Sequence, residues 1–478
     1  MDYKFKTVPY EHQLKALGAS WDKEAFALFM EMGTGKSKVL IDNCAMLYDK
    51  GKINGALIVA PKGVYRNWEQ SEIPTHMPDH VDHHVVTWSP KTTKTNLKLL
   101  SEMFTIKNKF VIFLMNIDAF ATKKGIEIAN KFLSGFVALM AVDESTTIKS
   151  PTAQRTKNII KLRQLAKYRR ILTGSPVTKS PMDLYTQSYF LDPFFLDFSS
   201  FYTFKARYCQ LVNRNMGSHS FKQIVGYQRL DELNHKVDQY SYRVLKSDCL
   251  DLPDKVFTKR IVEMTPEQSK MYETMRREAI AEIEGKETSV TTMLAQLVKL
   301  HQIVCGSVIV NDGEIKEIPN NRIGELLNCL EEIDGKVIIW AVYRHDIMKI
   351  TKTLAEKYGP ESVVSFFGDT KSEDRQEAVK NFQDENNPIR FFVGNPRTGG
   401  FGLTLTRAHH MIYYSNSYDL EVRLQSEDRA HRIGQTNKVT YIDLVTEKTV
   451  DEKIIKSLRN KIDLATKVLG EDYKEWLV

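Results

Sequence analysis

The chain is poor in cysteine and has no long apolar run. Its five cysteines are spread over 478 residues and form no CxxC pair, which argues against a disulfide framework or a zinc site and indicates a reducing compartment. No apolar run approaches the ~20 residues that a membrane helix needs, and residues 1–5 lack a signal-peptide pattern. We therefore expect a cytoplasmic protein without a membrane partner.

Positive charges outnumber negative charges only slightly. The net charge of +7 on so long a chain weakly indicates a polyanionic partner. A composition of 42% hydrophobic and 27% charged residues is that of an ordinary globular protein. Because 478 residues exceed what one core usually spans, we expect two domains.

A glycine-rich turn near the N-terminus is the first motif with chemical content. The apolar run Ala25–Met30 predicts a strand, and an apolar, helix-competent run follows the turn. Such a turn brings backbone N–H groups and a helix N-terminus close to a phosphate. Its lysine would neutralise phosphate charge and its serine would hold Mg²⁺, although Met30 replaces the first glycine of the full pattern. A purely structural turn is the alternative; the residues concerned are Gly33, Thr34, Gly35, Lys36 and Ser37.

Two acidic residues follow a predicted buried strand. Residues 55–60, 110–114 and 139–142 are short apolar runs typical of parallel strands, and Asp143 and Glu144 follow the third. Open α/β sheets bind ligands at this end of their strands. Asp143 could hold Mg²⁺, and Glu144 could orient or deprotonate an attacking water. A lone Asp-Glu pair is usually a solvated turn, but its position here favours catalysis.

Three further patterns allow more than one interpretation. The amide of Gln13 matches the adenine N6 and N7 edge, and the alternative is an ordinary surface glutamine without a binding function. Six basic residues and no acid within residues 157–170 predict either a solvated helix face or a contact with a phosphate backbone. Aromatic and basic residues alternate at 201–208, where a core function is favoured over stacking on nucleic acid.

The βα rhythm stops near Asp192 and returns at residues 336–341 and 389–393. We interpret the interval as a helical insertion. After the last of these strands, Gly399, Gly400 and Gly402 permit a close approach of backbone to phosphate. Further on, Gln425, Arg429 and Arg432 have spacings of four and three, which predict one shared helix face.

In this order the motifs resemble those of the superfamily-2 helicase-like ATPases and, within them, the SNF2 family of double-stranded DNA translocases. Residues 204–233 are similar to the small, distant branch that includes the annealing helicases. The match covers nearly the whole chain. It is carried by Gln13, Gly33–Ser37, Ala60–Lys62, Asp143–Glu144, Ile148–Lys149, Leu172–Pro176, Lys246–Asp248, Leu252–Lys255, the glycines after Asn395, Gln425–Gln435 and Thr449–Glu452.

The resemblance implies an α/β fold of two tandem RecA-like lobes with mostly parallel sheets. Lobe 1 would span residues 1–190, a helical insertion 191–334, lobe 2 335–450 and a C-terminal brace helix 451–478. ATP and Mg²⁺ would bind between the lobes, with Arg429 and Arg432 as arginine fingers. Gln425 and Gly402 would contact the nucleotide, and the expected DNA contacts are Pro61, Lys62, Asn116, Arg397, Gly399 and Gly400.

The implied function is movement along double-stranded DNA, including forked or branched DNA, by a monomer in a bacterial or phage-infected cell. A strand-separating DNA or RNA helicase is the alternative enzyme, and an ATP-gated nucleic-acid scaffold without turnover is the alternative binding protein. Thr146 replaces the histidine usual after Asp143-Glu144, which puts the usual connection to residues 172–176 in doubt. Residues 414–418 also depart from the family's pattern.

Overall fold

The computed structural model describes residues 3–61, 64–91, 93–216, 219–249, 252–285, 290–309, 314–368, 372–399, 403–432 and 434–469. The chain forms two compact units. Unit 1 comprises Met1–Leu211, Ile224–Asp251 and Leu464–Asp472, and unit 2 comprises Val212–Gln223, Leu252–Asp463 and Tyr473–Val478. No helix in the described ranges is long and apolar enough to cross a membrane.

The sheet of unit 1 has seven strands in the order β3-β4-β2-β5-β6-β1-β9. Every pairing in it is parallel. A separate two-stranded sheet pairs β7 with β8, and most of its residues (Val212–Gln223) belong to unit 2. The strands are β1 Ala25–Met30, β2 Gly55–Ala60, β3 His83–Thr87, β4 Phe110–Asn116, β5 Ala138–Asp143, β6 Tyr168–Leu172, β7 Cys209–Met216, β8 His219–Tyr227 and β9 Ser241–Val244.

Helices cover both faces of this sheet, as parallel sheets require. They are α1 Glu11–Ser20, α2 Lys36–Asp49, α3 Tyr65–Asn67, α4 Ile73–His76, α5 Lys94–Glu102, α6 Lys123–Gly135, α7 Gln154–Leu162, α8 Asp183–Leu191, α9 Phe201–Tyr208, α10 Leu230–Asp238 and α11 Lys246–Cys249.

The uninterrupted apolar sequence of β1 follows from burial on both sides. Ala27 and Phe29 pack into one core cluster, whereas Phe26, Leu28 and Met30 pack into another. Successive side chains of a strand point to opposite faces, so a strand covered on both sides has no polar positions. The predicted bounds of this strand coincide with those observed.

Unit 2 repeats the plan with six strands in the order β10-β17-β16-β13-β15-β14, and its neighbouring strands pair in parallel over the residues that the structure describes. A short antiparallel pair, β11 with β12, lies apart from it. The strands are β10 Lys255–Ile261, β11 Ser307–Ile309, β12 Ile315–Glu317, β13 Lys336–Trp340, β14 Val363–Phe366, β15 Phe391–Gly394, β16 Ala408–Tyr413 and β17 Val439–Val445.

Helices of unit 2 again enclose the sheet, and α19 packs on α18 through Leu420, Ile454, Leu458 and Ile462. The predicted α/β class with two RecA-like, mostly parallel units is confirmed. The helices are α12 Pro266–Gly285, α13 Val290–Cys305, α14 Arg322–Glu331, α15 Arg344–Tyr358, α16 Ser372–Gln383, α17 Pro396–Gly399, α18 Leu420–Glu427 and α19 Val450–Leu469.

The predicted helical insertion also contributes strands to the two large sheets. Strand β9 pairs with β1 in unit 1, and β10 pairs with β17 in unit 2. Both strands contain several polar residues and lie at sheet edges, so they lack the continuous apolar run by which buried parallel strands are recognised. The four-part division of the chain, including a brace function for the last helix, stays a prediction.

The aromatic residues of α9 belong mainly to the core. Phe204 and Tyr208 are completely buried, and Phe201 packs against the same cluster. Arg207 forms a 2.6 Å ion pair with Glu232. Within this helix Tyr202 is the aromatic residue that stays exposed, so the core interpretation of the pattern holds for three of its four aromatic residues.

An ionic cluster lies inside unit 2. The fully buried guanidinium of Arg322 donates to a carboxylate oxygen of Asp451 and to Thr446 Oγ1. His301 Nε2 lies 3.2 Å from the other carboxylate oxygen of Asp451. Burial opposes ionisation of Asp451, but Arg322 and His301 outweigh it and lower the pKa of this carboxyl to about 2. Asp451 therefore stabilises unit 2 as a carboxylate.

We expect Asp451→Asn to destabilise unit 2 by about 3 kcal/mol at neutral pH, because it leaves a buried arginine without its counter-charge. The unfolded carboxyl has a pKa near ~3.9. The stabilisation is therefore complete above pH ~4 and is lost as the pH falls through the folded value of about 2. Urea unfolding of wild type and variant from pH 7 to pH 2 measures the difference. Asp254→Asn, which removes an exposed 3.3 Å pair with Lys438, is the control, and equal losses would contradict the expectation.

Candidate active site

The phosphate loop connects β1 to α2, and its conformation depends on glycine. Gly33 and Gly35 have φ of +84° and +88°, in the left-handed region. A Cβ on Gly35 would lie 2.1 Å from Nε2 of Gln13. A side chain at Gly35 is therefore excluded by backbone conformation and by space. The loop ends at Lys36, the first residue of α2.

Helix α1 holds this loop from the side. Nε2 of His12 donates to the carbonyl oxygen of Thr34 at 2.8 Å, and Nε2 of Gln13 donates to the same oxygen at 3.1 Å. Oε1 of Gln13 accepts from the backbone N–H of Tyr10. Gln13 is thus buried and bonded to the phosphate loop, so the alternative of an ordinary surface glutamine is wrong. Its contact with adenine stays a prediction, and no local pattern marked it or His12 as anchors of the loop.

Lys36 is buried, and its Nζ lies 3.5 Å from the carbonyl oxygen of Glu31. Thr34 Oγ1 donates to that oxygen at 2.7 Å. Ser37 follows in the first turn of α2 and is partly buried. The ammonium of Lys36 and the hydroxyl of Ser37 therefore lie at the start of α2, where the sequence pattern predicts them.

Asp143 is the last residue of β5 and is buried. Oδ2 accepts from Trp68 Nε1 at 3.0 Å, and Oδ1 accepts from the backbone N–H of Glu144 at 3.0 Å. Burial raises the pKa of the Asp143 carboxyl, while the charge of Lys36 and these two donors oppose that rise. A cation would favour the ionised form further. Trp68 was not predicted as a site residue, because an indole far away in sequence carries no signal of its own.

Glu144 begins a sharp turn. Its φ of +47° and ψ of 61° place a non-glycine residue in the left-handed region, which is energetically costly and is common at functional sites. A 3₁₀ turn over Ser145–Ile148 follows, and the Glu144 side chain is buried. The strained turn thus holds a second acid directly after the first.

Residues 145 and 172–176 are connected by one buried glutamine. Ser145 Oγ donates to Gln187 Oε1 at 2.7 Å, and Gln187 Nε2 donates to the carbonyl oxygen of Pro176 at 2.9 Å. Gln187 is completely buried in α8. The replacement at Thr146 therefore leaves a path between the two motifs in place, through a residue that sequence analysis did not identify.

The backbone of residues 172–176 also lies against the phosphate loop. A Cβ on Gly174 would be 3.2 Å from the backbone nitrogen of Met32. A second connection runs from Lys149 Nζ to Thr178 Oγ1 at 2.7 Å. The loops after β1, β5 and β6 therefore form one contiguous surface at the carboxyl edge of the unit 1 sheet.

Two of the six basic residues at 157–170 are structural. Arg170 is completely buried and donates to Asn43 Oδ1 and to the carbonyl oxygen of Ser20. Arg169 Nε donates to the carbonyl oxygen of Leu191. The exposed members of the run, which a phosphate backbone could reach, are Lys157, Lys161 and Lys167.

In unit 2 the predicted helix over Gln425, Arg429 and Arg432 is wrong. Helix α18 ends at Glu427, and turns follow it. Arg429 and Arg432 instead converge on the carbonyl oxygen of Leu403, with Nη1 distances of 3.1 and 3.2 Å, and Arg429 Nε donates to Gln425 O at 2.7 Å. These bonds to backbone carbonyls satisfy the guanidinium groups without a longer helix. Gln425 and Arg429 are buried, and Arg432 is partly exposed.

The start of α18 rests on a buried ion pair. Arg423 donates to Asp443 and, at 2.7 Å, to Oδ1 of Asn416. Asn416 Nδ2 in turn donates to Asp443 at 2.8 Å. Residues 414–418, which depart from the family's pattern, thus position the segment that carries Arg429 and Arg432.

The predicted nucleic-acid contacts differ in accessibility. Pro61 and Asn116 are buried, and Asn116 Oδ1 accepts from the backbone N–H of Ala119 to cap a 3₁₀ turn. Arg397 is on α17, 3.2 Å from Asp419, and its side chain is 72% exposed. Gly399 ends that helix. Lys62, Gly400 and Gly402 lie outside the described residues, and the functions of all these residues stay predictions.

Two parallel α/β units, one carrying a phosphate loop beside a buried Asp-Glu turn, define a P-loop protein of the helicase-like class. The model of the SNF2-related domain matches residues 13–308, and that of the helicase conserved C-terminal domain matches residues 320–434. The chain belongs to the SNF2-related domain family, which confirms the family assignment. The finer placement near the annealing helicases stays a prediction.

Individual relatives are distant and longer. The chain is 25% identical to an uncharacterized ATP-dependent helicase of Mycoplasma genitalium and 26% identical to a putative ATP-dependent helicase/translocase of Bacillus subtilis, covering 92% of this chain and 40% and 46% of theirs. The chain therefore spans less than half the length of these relatives. A SWI2/SNF2 ATPase core of Sulfolobus solfataricus, solved with double-stranded DNA, is 23% identical with a TM-score of 0.43 over 100% of this chain and 96% of that one.

Proposed function

We propose that this chain is an ATPase that double-stranded DNA stimulates and that couples ATP hydrolysis to movement along the duplex. The observation that carries the proposal is the phosphate loop whose Lys36 charge acts on the buried Asp143 carboxyl, in a chain that both family models match. The names of its relatives, which include ATP-dependent helicases and a putative translocase, support it.

ATP would bind at the carboxyl edge of the unit 1 sheet, with its phosphates on the N–H groups of residues 33–37 and the Lys36 ammonium. The buried carboxylate of Asp143 and the hydroxyl of Ser37 are hard oxygen donors of the kind that Mg²⁺ prefers. Such a cation would also offset the cost of burying the Asp143 charge. When bound, Mg²⁺ supplies charge neutralisation on the phosphates.

The protein's own residues would then position the attacking water and stabilise the charge that develops during phosphoryl transfer. Glu144 would orient the attacking water and accept its proton, while Trp68 keeps the neighbouring carboxylate of Asp143 in place. Arg432 would stabilise the charge that develops on the transferred phosphoryl group, and its bond to Leu403 O would hold the guanidinium near its working position. Catalysis of phosphoryl transfer depends mainly on such positioning and charge stabilisation.

We expect ATPase activity to be low for the protein alone and to rise at least about tenfold with double-stranded DNA. Contacts with phosphates release counterions, so the stimulation should fall steeply with salt. Steady-state hydrolysis is measured with single-stranded, duplex, forked and four-way-junction DNA and with RNA, each at several salt concentrations. Activation by RNA with duplex DNA inert would favour the helicase alternative, and binding of DNA without any turnover would favour the scaffold.

A further inference from the structure

Glu31, the residue between β1 and the glycines of the phosphate loop, is bonded to a distant segment through both its backbone and its side chain. Its backbone N–H donates to the carbonyl oxygen of Val244 at 3.0 Å. Its carboxylate Oε2 accepts from the backbone N–H of Lys246 at 2.6 Å. A carboxylate oxygen is a strong acceptor for a backbone N–H. Glu31 is therefore held on β9 and on the start of α11.

The carbonyl oxygen of the same residue faces the loop. It accepts from Thr34 Oγ1 at 2.7 Å and from Thr34 N–H at 3.3 Å. Lys36 Nζ lies 3.5 Å from it. The position of the Lys36 ammonium therefore depends on Glu31. Because Glu31 is bonded to the backbone of Lys246, it also depends on Lys246.

The segment that holds Glu31 is itself firmly attached to unit 1. Strand β9 pairs in parallel with β1, with Val244 opposite Met30. Arg243 Nη1 donates to the carbonyl oxygens of Phe29 at 3.2 Å and Gly174 at 2.8 Å. Unit 1 ends shortly afterwards, because the chain passes into unit 2 after Asp251. Lys246 therefore lies in the stretch through which the chain leaves unit 1.

We propose that Glu31 is a positioning residue for nucleotide binding. Its carboxylate, held by the Lys246 N–H, sets the conformation of the phosphate loop and the location of the Lys36 ammonium. The inference rests on the proposed ATPase function. It adds that nucleotide affinity depends on a hydrogen bond to the segment that leads out of unit 1, and not on the loop residues alone.

The experiment measures binding of fluorescently labelled ADP to the full chain without DNA. Glu31→Ala removes the acceptor and should weaken binding about tenfold. Glu31→Gln keeps an oxygen that can accept from Lys246 N–H but lacks its charge, so its affinity should lie between those of Glu31→Ala and wild type. In steady-state hydrolysis the loss should appear more in KM for ATP than in kcat, because Lys36 contacts phosphate in the ground state.

The partner is tested at its backbone. Lys246→Pro removes the N–H, and proline is tolerated at the first position of a helix. Lys246→Ala also removes the lysine ammonium but keeps the backbone N–H. The difference in affinity between the two variants therefore isolates this donor. Lys246→Pro should weaken ADP binding several-fold more than Lys246→Ala does. The double variant Glu31→Ala/Lys246→Pro should bind no more weakly than the weaker single variant, since both remove one bond.

Ser247→Ala, at an exposed neighbouring position, is the matched control and should bind like wild type. Thermal unfolding of every variant separates a local effect on binding from loss of the fold. If Lys246→Pro does not fold, the affinities of Glu31→Ala and Glu31→Gln test the proposal. Wild-type affinity in Glu31→Ala, or losses that add in the double variant, would overturn the inference while leaving the proposed function intact. Failure of the wild type itself to bind ADP would overturn both.

Discussion

Replacing Glu144 by glutamine should lower DNA-stimulated ATP turnover by about 100-fold or more while ATP binds nearly as tightly as in wild type. Glutamine has the same shape but cannot accept the proton of the attacking water, and positioned general bases typically contribute 10²–10⁴-fold. The residue already has a strained left-handed backbone and a buried side chain, so an isosteric change is the least disruptive one available. Single-turnover hydrolysis and equilibrium binding of ATP separate the two effects.

Glu102→Gln, at an exposed position on α5, provides the control for loss of a negative charge on unit 1. It should leave turnover unchanged. If Glu144→Gln hydrolyses ATP within about a factor of two of wild type, the assignment of a catalytic function to the Asp143-Glu144 turn is wrong.

Arg432→Ala should lower kcat by about 10³-fold with little change in ATP affinity measured without DNA. An arginine finger acts on charge that develops in the transition state, and such residues contribute 10³-fold or more in related NTPases. Lys36→Ala should instead weaken ATP binding about 10- to 100-fold, because a hydrogen bond to a charged group contributes about 1.5–3 kcal/mol in the ground state. The comparison tests whether residues of unit 1 and unit 2 act on one phosphate.

Arg429 requires a separate interpretation. It is almost completely buried and donates to the carbonyl oxygens of Gln425 and Leu403, so Arg429→Ala should lower the melting temperature as well as kcat. Arg459→Ala, at an exposed position on α19, is the control for loss of an arginine in unit 2.

Retention of full DNA-stimulated turnover by Arg432→Ala would exclude Arg432 as an arginine finger.

Much of the architecture could be predicted because buried parallel strands have a simple sequence signature. Residues 25–30, 55–60 and 110–114 are apolar at every position, which predicts strands, and each run lies within an observed strand. Strands β9 and β10 were missed for the opposite reason. They are sheet edges, and their polar residues resemble those of an exposed loop.

The site was predictable where chemistry constrains adjacent residues and unpredictable where contacts are distant. Glycines, a lysine and a serine must follow one another for a loop to enclose a phosphate, so Gly33–Ser37 could be read directly. Gln13 bonds to the loop, Trp68 to Asp143 and Gln187 to Ser145, each from a distant part of the chain. The spacing of Gln425, Arg429 and Arg432 wrongly predicted one shared helix, since α18 ends at Glu427, before both arginines.

The amino-acid sequence by itself determined the class of this protein: two parallel α/β units, a phosphate loop, an Asp-Glu turn after a buried strand and the SNF2 order of motifs. These features are local, because propensity, apolar runs and motif spacing are written in consecutive residues. Only the tertiary structure decided which side chains hold the site in place. The carboxylate of Glu31 finds its donor at Lys246, 215 residues further along the chain, and only the pairing of β1 with β9 brings the two together.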